Sequence, residues 1–240
     1  MNKVMKLEQF ISAQTSLSRR EILDLLKEGK IEINGLRADS LIQEINLKSD
    51  KVTVEGAPLS GKVSFRYYKF YKPGNVLCTL EDPKGRPCVA DFISHLEPSL
   101  FPVGRLDRHT TGLLIITNDG KWANVLTHPS YKVNKIYSVE LDKPIQKNDL
   151  RRLQSGLFLE DGPVQFLSIN IQSKTSLKIT LNEGRNRIIR RTFDFLGYKV
   201  EKLKRLSIGP IQLGKLKKGE IKPLSKGEII SLSTVNVEPE

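Results

Sequence analysis

Four consecutive apolar residues, Leu113-Leu114-Ile115-Ile116, restrict this chain more than any other stretch. An unbroken run of strand formers bounded by turn residues reads as a buried strand. Asn118-Asp119-Gly120 closes the run as a turn. On the entry side lies Gly104-Arg105-Leu106-Asp107-Arg108-His109-Thr110-Thr111-Gly112, where a single acid, Asp107, stands between two arginines. A loop leading into a buried strand lets a rigid scaffold aim one carboxylate. The flanking cations Arg105 and Arg108 favour its ionised form and can grip phosphates. Taken alone, these residues also fit an ordinary loop aspartate paired with a neighbouring arginine.

With 240 residues, the chain has room for one large domain and one small one, each with its own core. The net charge of +12 points to a polyanionic partner, of which nucleic acid is the usual one. The charge is unevenly placed. Residues 1–60 hold nine Lys/Arg against nine Asp/Glu, and residues 61–240 hold thirty against eighteen. General attraction to nucleic acid therefore belongs to the larger part, and binding by the first part rests on a local patch. No basic amphipathic anchor, long apolar run or signal-peptide pattern stands out, so a soluble cytoplasmic protein without membrane attachment is expected. Cys78 and Cys88 lack CxxC spacing, and His95, His109 and His128 lack metal-ligand spacing, so neither a disulfide nor a metal is expected.

The first part reads as two short helices, 6–13 and 18–28, the second capped by Ser18 with Glu21 completing a capping box and stopped by Gly29. Strands follow at 30–33, turning at Asn34-Gly35, and at 51–54. Residues 56–62 are rich in small and turn-forming residues and read as a linker, and 235–240 as a frayed tail. In the second part, strands are expected at 65–70, 76–79, 133–141, 157–159, 164–171 and 177–181, with helices at 89–95, 122–126 and 146–155. Residues 203–232 alternate short strands with turns, and their lysines and Arg205 read as a basic rim. The run from Arg185 to Arg191 holds four arginines in seven residues and opens a helix that reaches Gly197. Arg187, Arg190 and Arg191 are placed on one side of it. Few nearby acids could pair them, so a merely salt-bridged surface helix is the weaker reading.

GRLDRHTTGLLIITNDG resembles the catalytic motif of the RsuA/RluB family of RNA pseudouridine synthases, with Asp107 at the catalytic aspartate. YKPGNVLCTLEDPKGRPCVADFI is similar to that family's first motif and puts Lys72 near the site. Lys135-Ile136-Tyr137 is similar to its Lys-x-Tyr element, with Tyr137 as the active-site tyrosine that stacks on a base. EGRNRIIRR resembles its third motif, in which Arg190 matches the arginine that pairs with the aspartate, and Ile188 replaces a glutamine. The resemblance further implies that Arg105 helps hold a flipped nucleotide and that Arg185 and Arg187 grip phosphates. The first part, from Leu17-Ser18-Arg19-Arg20-Glu21 to Asn34-Gly35, resembles the small RNA-binding domain named after ribosomal protein S-four, in which Arg19 and Arg20 would face RNA.

The expected fold is α+β: an S-four-like domain over 1–60, then a synthase domain over 61–240 built on a largely antiparallel, mixed sheet with a central cleft. The implied reaction is uridine to pseudouridine in structured RNA, with large-subunit ribosomal RNA favoured by the RluB-like ending KLKRLSIGPIQLGKLKKGEIKPLSKGEI. The target base must leave its stack. An isomerisation requires no cofactor, and a monomer is expected. Two rivals are a non-catalytic RNA-binding or ribosome-assembly factor and an RNA methyltransferase. The first needs no carboxylate in a basic cleft. The second would want a glycine-rich strand-to-helix turn, which is not found.

Overall fold

The computed structural model describes residues 4–15, 17–59, 64–96 and 99–233. The chain divides into two compact units, one of Met1–Arg66 with Ile93–Phe101 and Thr117–Gly120, the other holding the remainder. The expected tail at 235–240 and part of the expected linker lie outside the described residues.

In the first unit, β1 (Val4–Lys6) runs directly into α1 (Leu7–Gln14), and α2 (Arg19–Lys27) follows. Ser18 caps α2: its hydroxyl accepts from Glu21 N at 3.3 Å, and its own N–H donates to the Glu21 carboxylate at 2.6 Å. Strands β2 (Ile31–Ile33), β3 (Leu36–Arg37), β4 (Glu44–Asn46), β5 (Val52–Val54) and β6 (Ala57–Leu59) complete the unit. The order β3-β2-β5-β6 is antiparallel throughout, and β1 pairs with β4. Asn34 and Gly35 both take positive φ, the geometry a tight hairpin demands. Glu55 and Gly56 repeat it between β5 and β6, so 57–59 form a strand where a linker was expected. Leu7, Ile11, Ile22, Ile31 and Ile45 pack as this unit's core.

The elements lying wholly or mostly in the second unit begin with β7 (Tyr67–Lys72), α3 (Ala90–Ile93), β8 (Phe101–Val103), β9 (Thr111–Thr117), α4 (Gly120–Thr127) and β10 (Lys135–Leu141). Then come α5 (Lys147–Ser155), β11 (Leu157–Leu159), β12 (Gly162–Val164), β13 (Ser168–Ile171), β14 (Ser176–Leu181) and α6 (Ile188–Phe195). The last elements are β15 (Val200–Ile208), β16 (Ile211–Gln212), β17 (Ile221–Pro223) and α7 (Lys226–Ser233). The main sheet runs β13-β14-β10-β15-β9-β7-β17. β13–β14, β14–β10, β10–β15 and β7–β17 are antiparallel, whereas β15 and β9 run parallel. The fold is therefore α+β with a mixed, mainly antiparallel sheet, as the residues implied. Leu113, Leu114, Ile115 and Ile116 are all at 0% exposure, which makes β9 the buried strand its composition required. No described helix is long and apolar enough to cross a membrane.

The parallel seam is short. β15 and β9 pair only at Lys204–Thr111 and Arg205–Gly112. Gly112 sits at φ +105°, and a Cβ there would overlap the Arg205 backbone. Glycine is thus what lets the two strands meet just after the Asp107 loop.

Three local expectations are corrected. Residues 76–79 form only an isolated bridge, Leu77 with Cys88, because their backbone groups serve a local loop: Leu77 N bonds Pro87 O and Val76 O takes the Lys72 ammonium. Residues 164–171 split between β12, paired with β11, and β13, paired with β14. Arg187 lies before α6, not within it, at φ 49° and ψ 26°, so it does not share a helix side with Arg190 and Arg191.

Candidate active site

The Asp107 loop is tied down from several directions. Leu106 is buried in the hydrophobic core, and its N–H donates to the Cys78 thiol at 3.3 Å. Asp107 O accepts from Thr110 N at 3.0 Å. Arg108 O accepts from Asn75 N at 2.8 Å and from Lys72 Nζ at 3.2 Å. The carboxylate they position is half-buried and, among the described residues, has no ion-pair partner.

Asp107 faces a cleft of about 650 Å³. Its walls come from that loop, from Lys135 and Tyr137 on β10, from Leu203, Arg205 and Ile208 on β15, and from residues 182–190 leading into α6. The cleft therefore lies beside the parallel seam. Tyr137 is 8% exposed, with its ring in the core and an edge on the cleft. Across the antiparallel pair it stands directly opposite Arg205.

Arg190 also lines the cleft, but its guanidinium donates to Val200 O at 2.8 Å, and no ion pair joins it to Asp107. Its Nε is buried without a partner among the described residues. Burial first and then the nearby Arg187 disfavour its charge, while Asp107 favours it. The expected direct pair is replaced by an attraction acting at longer range.

Arg185 spends its donors on the protein. It contacts the Glu183 carboxylate at 2.6 Å, the Asp161 carboxylate at 3.0 Å and two backbone carbonyls of the β11–β12 turn region. Arg191 takes the other Asp161 oxygen at 2.6 Å. The acids that seemed too few are thus supplied by Asp161 and Glu183, one from a distant turn. Arg105 and Arg187 are exposed at the mouth of the cleft. Ile188 turns into the core at 4% exposure, as an apolar side chain should.

Lys72 is fully buried, and its ammonium donates to the carbonyls of Pro73, Val76 and Arg108. It lies near the site, as its motif implies, but it has no surface with which to meet RNA, so an RNA-binding role is corrected to a buried clamp on the Asp107 loop. Burial lowers its pKa to about 8, against an opposing pull from Cys78 and Asp107. Arg19 and Arg20 lie on α2 of the first unit, where Arg19 is paired with Glu8 and Arg20 is exposed.

Two cations escaped sequence reasoning. Arg205, read as rim, is 4% exposed on the cleft floor. Its Nε donates to Leu113 O at 2.7 Å, and its Nη2 is buried without a partner among the described residues. Lys135 lies nearby with Nζ on Val133 O at 3.0 Å, and burial followed by Arg205 lowers its pKa to about 8. Alternation along β15 puts Leu203, Arg205 and Ser207 inward, all buried. A polar pair in an inward phase was the only available signal.

A carboxylate without an ion-pair partner among the described residues, in a cleft that several cations line, suits chemistry on a polyanion. Comparison with known proteins makes the class specific. A model described as RNA pseudouridylate synthase matches residues 66–194. A protein of Aquifex aeolicus named an uncharacterised RNA pseudouridine synthase is 38% identical, over 95% of this chain and 93% of its own. The ribosomal large subunit pseudouridine synthase B of Bacillus subtilis is 36% identical, over 93% of each. A crystal structure of a pseudouridylate synthase matches with a TM-score of 0.68 at 30% identity, covering 95% of this chain and 99% of that one. The chain belongs to the RNA pseudouridine synthase family, in its RsuA/RluB branch. Its reaction is the isomerisation of uridine to pseudouridine in RNA.

Proposed function

We propose that this enzyme modifies one uridine of large-subunit ribosomal RNA, with Asp107 as its essential carboxylate. The observation that carries the reading is Asp107 itself: a half-buried acid without an ion-pair partner among the described residues, on a loop held by Lys72, Cys78 and Asn75, facing a cleft whose lining includes Arg105, Lys135, Arg187, Arg190 and Arg205. A carboxylate held this way keeps its lone pairs for a substrate. Arg190 faces it across the cleft, where the carboxylate favours the charged guanidinium.

The uridine must be extruded from its stack to reach this depth. Arg105, exposed at the mouth, holds the flipped nucleotide, and Arg187 grips neighbouring phosphate. Tyr137 offers its ring to the base and its hydroxyl for proton movement. Residues 1–60 act as an S-four-type RNA-binding domain, with Arg20, free of an ion pair among the described residues, as its readiest phosphate contact and Arg19 beside it. Residues 61–240 act as the synthase domain. The enzyme works as a cytoplasmic monomer on structured RNA. The name of the Bacillus subtilis relative, over nearly its whole length, supports the large-subunit target.

Mapping pseudouridine across ribosomal and transfer RNA, in cells deleted for the protein, tests the target. Loss of one large-subunit site that returns with the wild-type gene is the expected result. Loss confined to small-subunit or transfer RNA would move the target elsewhere.

A further inference from the structure

The floor of the cleft carries more positive charge than any described acid balances. Arg205, which is buried, and Lys135, which is half-buried, make no ion pair among the described residues. Glu183, which also lines the cleft, is taken by Arg185. Burying unpaired cations is costly, and the cost persists at sites that await an anionic partner. The position is also enforced. Gly112 lets β15 close on β9, Leu113 O fixes one edge of the guanidinium, and Tyr137 stands opposite on the neighbouring strand. Directly opposed residues of an antiparallel pair leave the sheet on the same side.

A flipped nucleotide enters base first, so its phosphates stay at the mouth with Arg105 and Arg187 while its uracil reaches the floor. We infer that Arg205 is a catalytic residue for the base: its guanidinium donates to a carbonyl oxygen of the flipped uracil and stabilises the anion formed when the glycosidic bond breaks. This rests on the assignment of the cleft as the uridine site. The N1–C1′ bond breaks and its electron pair leaves with the uracil, whose charge spreads onto O2 and O4. The ring turns and C5 bonds C1′ as the Asp107–C1′ bond breaks or, on the other route, as the ribose regains its proton; the C5 proton is released and N1 takes up a proton. The charge on the ring arises whether Asp107 attacks the ribose or removes a ribose proton. Donors fixed in a water-poor site are most effective against charge that appears only during the reaction.

The test is a single-turnover comparison of wild type and Arg205→Met on the RNA that wild type modifies. That RNA is prepared with uridine, 2-thiouridine or 4-thiouridine at the target position. Sulfur is a weaker hydrogen-bond acceptor and a better home for the ring charge, so the thio base needs the arginine less. Arg205→Met should slow the uridine reaction by about 10²–10³-fold, the range for loss of one such donor. RNA affinity should stay within about threefold, because Arg205 is not a phosphate contact. The slowing factor should shrink at least roughly fivefold on one thio substrate, which also identifies the oxygen. An equal factor on all three substrates would mean that Arg205 only pins β9, and the proposal fails. Lost affinity with an unchanged rate of the bound complex would make it a phosphate anchor, which also overturns it. If Arg205→Met does not fold, Arg205→Lys is compared on the same substrates, and an equal factor on all three again refutes the role. If wild type modifies no RNA, the cleft assignment falls first, separately from Arg205.

Discussion

At the scale of single residues, the site is a problem of unequal charge. Asp107 faces Arg190, Arg205 and Lys135 across one cleft, and none of these cations pairs with it directly. Burial disfavours the charged form of Lys135, whose proton leaves near pH 8 in the folded protein, whereas in the unfolded chain it is held to 10.5. Between those values the unfolded chain binds more protons, so the stability contributed by this group rises with pH. Lys135→Met should therefore raise the melting temperature relative to wild type more at pH 7.5 than at pH 10. Melting curves of both proteins at the two pH values check it, and an advantage that grows with pH would contradict the burial argument. Legibility at this scale was uneven. Asp107, Tyr137 and Arg190 belong to contiguous motifs, and the fold brings them to one cleft. Arg205 was not legible because its burial depends on strand phase and on a pairing shift near Tyr137 that no local pattern encodes. Lys72 was misread because its partners are carbonyls, which leave no mark in side-chain sequence.

At the scale of elements, the β15–β9 seam organises the site. Its two paired positions bring Arg205 against Gly112, five residues after Asp107. Gly112→Ala places a Cβ into the Arg205 backbone at a φ that alanine resists. It should destabilise the protein by about 3 kcal/mol or more, from strain and overpacking together. Urea denaturation measures this, and a loss under about 1 kcal/mol would show that the seam yields easily. In α2, Ser18→Ala removes a complete capping box. The expected cost is about 1 kcal/mol, read from the same denaturation experiment on the intact chain. Both helices of the first unit, its Asn34-Gly35 turn, α4, α5 and most strands were readable from periodicity and turn residues. Two of the failures share one cause. Where a backbone segment serves a buried ammonium, as at 76–79, or changes pairing partner, as at 164–168, local propensity is outweighed by distant partners.

For the whole molecule, the charge partition matters more than its total. The excess of cations falls entirely within residues 61–240. Many of these residues are nevertheless committed to internal pairs, including Arg185 and Arg191. Counting lysines and arginines therefore overstates the RNA footprint. Arg187, exposed at the cleft mouth without an ion pair among the described residues, should be a true phosphate contact. Arg187→Gln should reduce the slope of log affinity against log salt by roughly 0.7–0.9, the release expected for one phosphate contact. Arg191→Gln should leave that slope nearly unchanged, because its charge is already spent on Asp161. Titrations at several salt concentrations separate the two, and equal slope changes would mean that the internal pairs open on RNA.

The central claim is that Asp107 performs chemistry and does not merely shape the cleft. The most direct measurement is single-turnover pseudouridine formation by purified wild type and Asp107→Asn on the same ribosomal RNA transcript, with RNA affinity and melting temperature measured in parallel. The account predicts a folded Asp107→Asn protein that binds RNA as wild type does and forms no detectable pseudouridine. A folded variant that still converts the target uridine at a rate near wild type would contradict it.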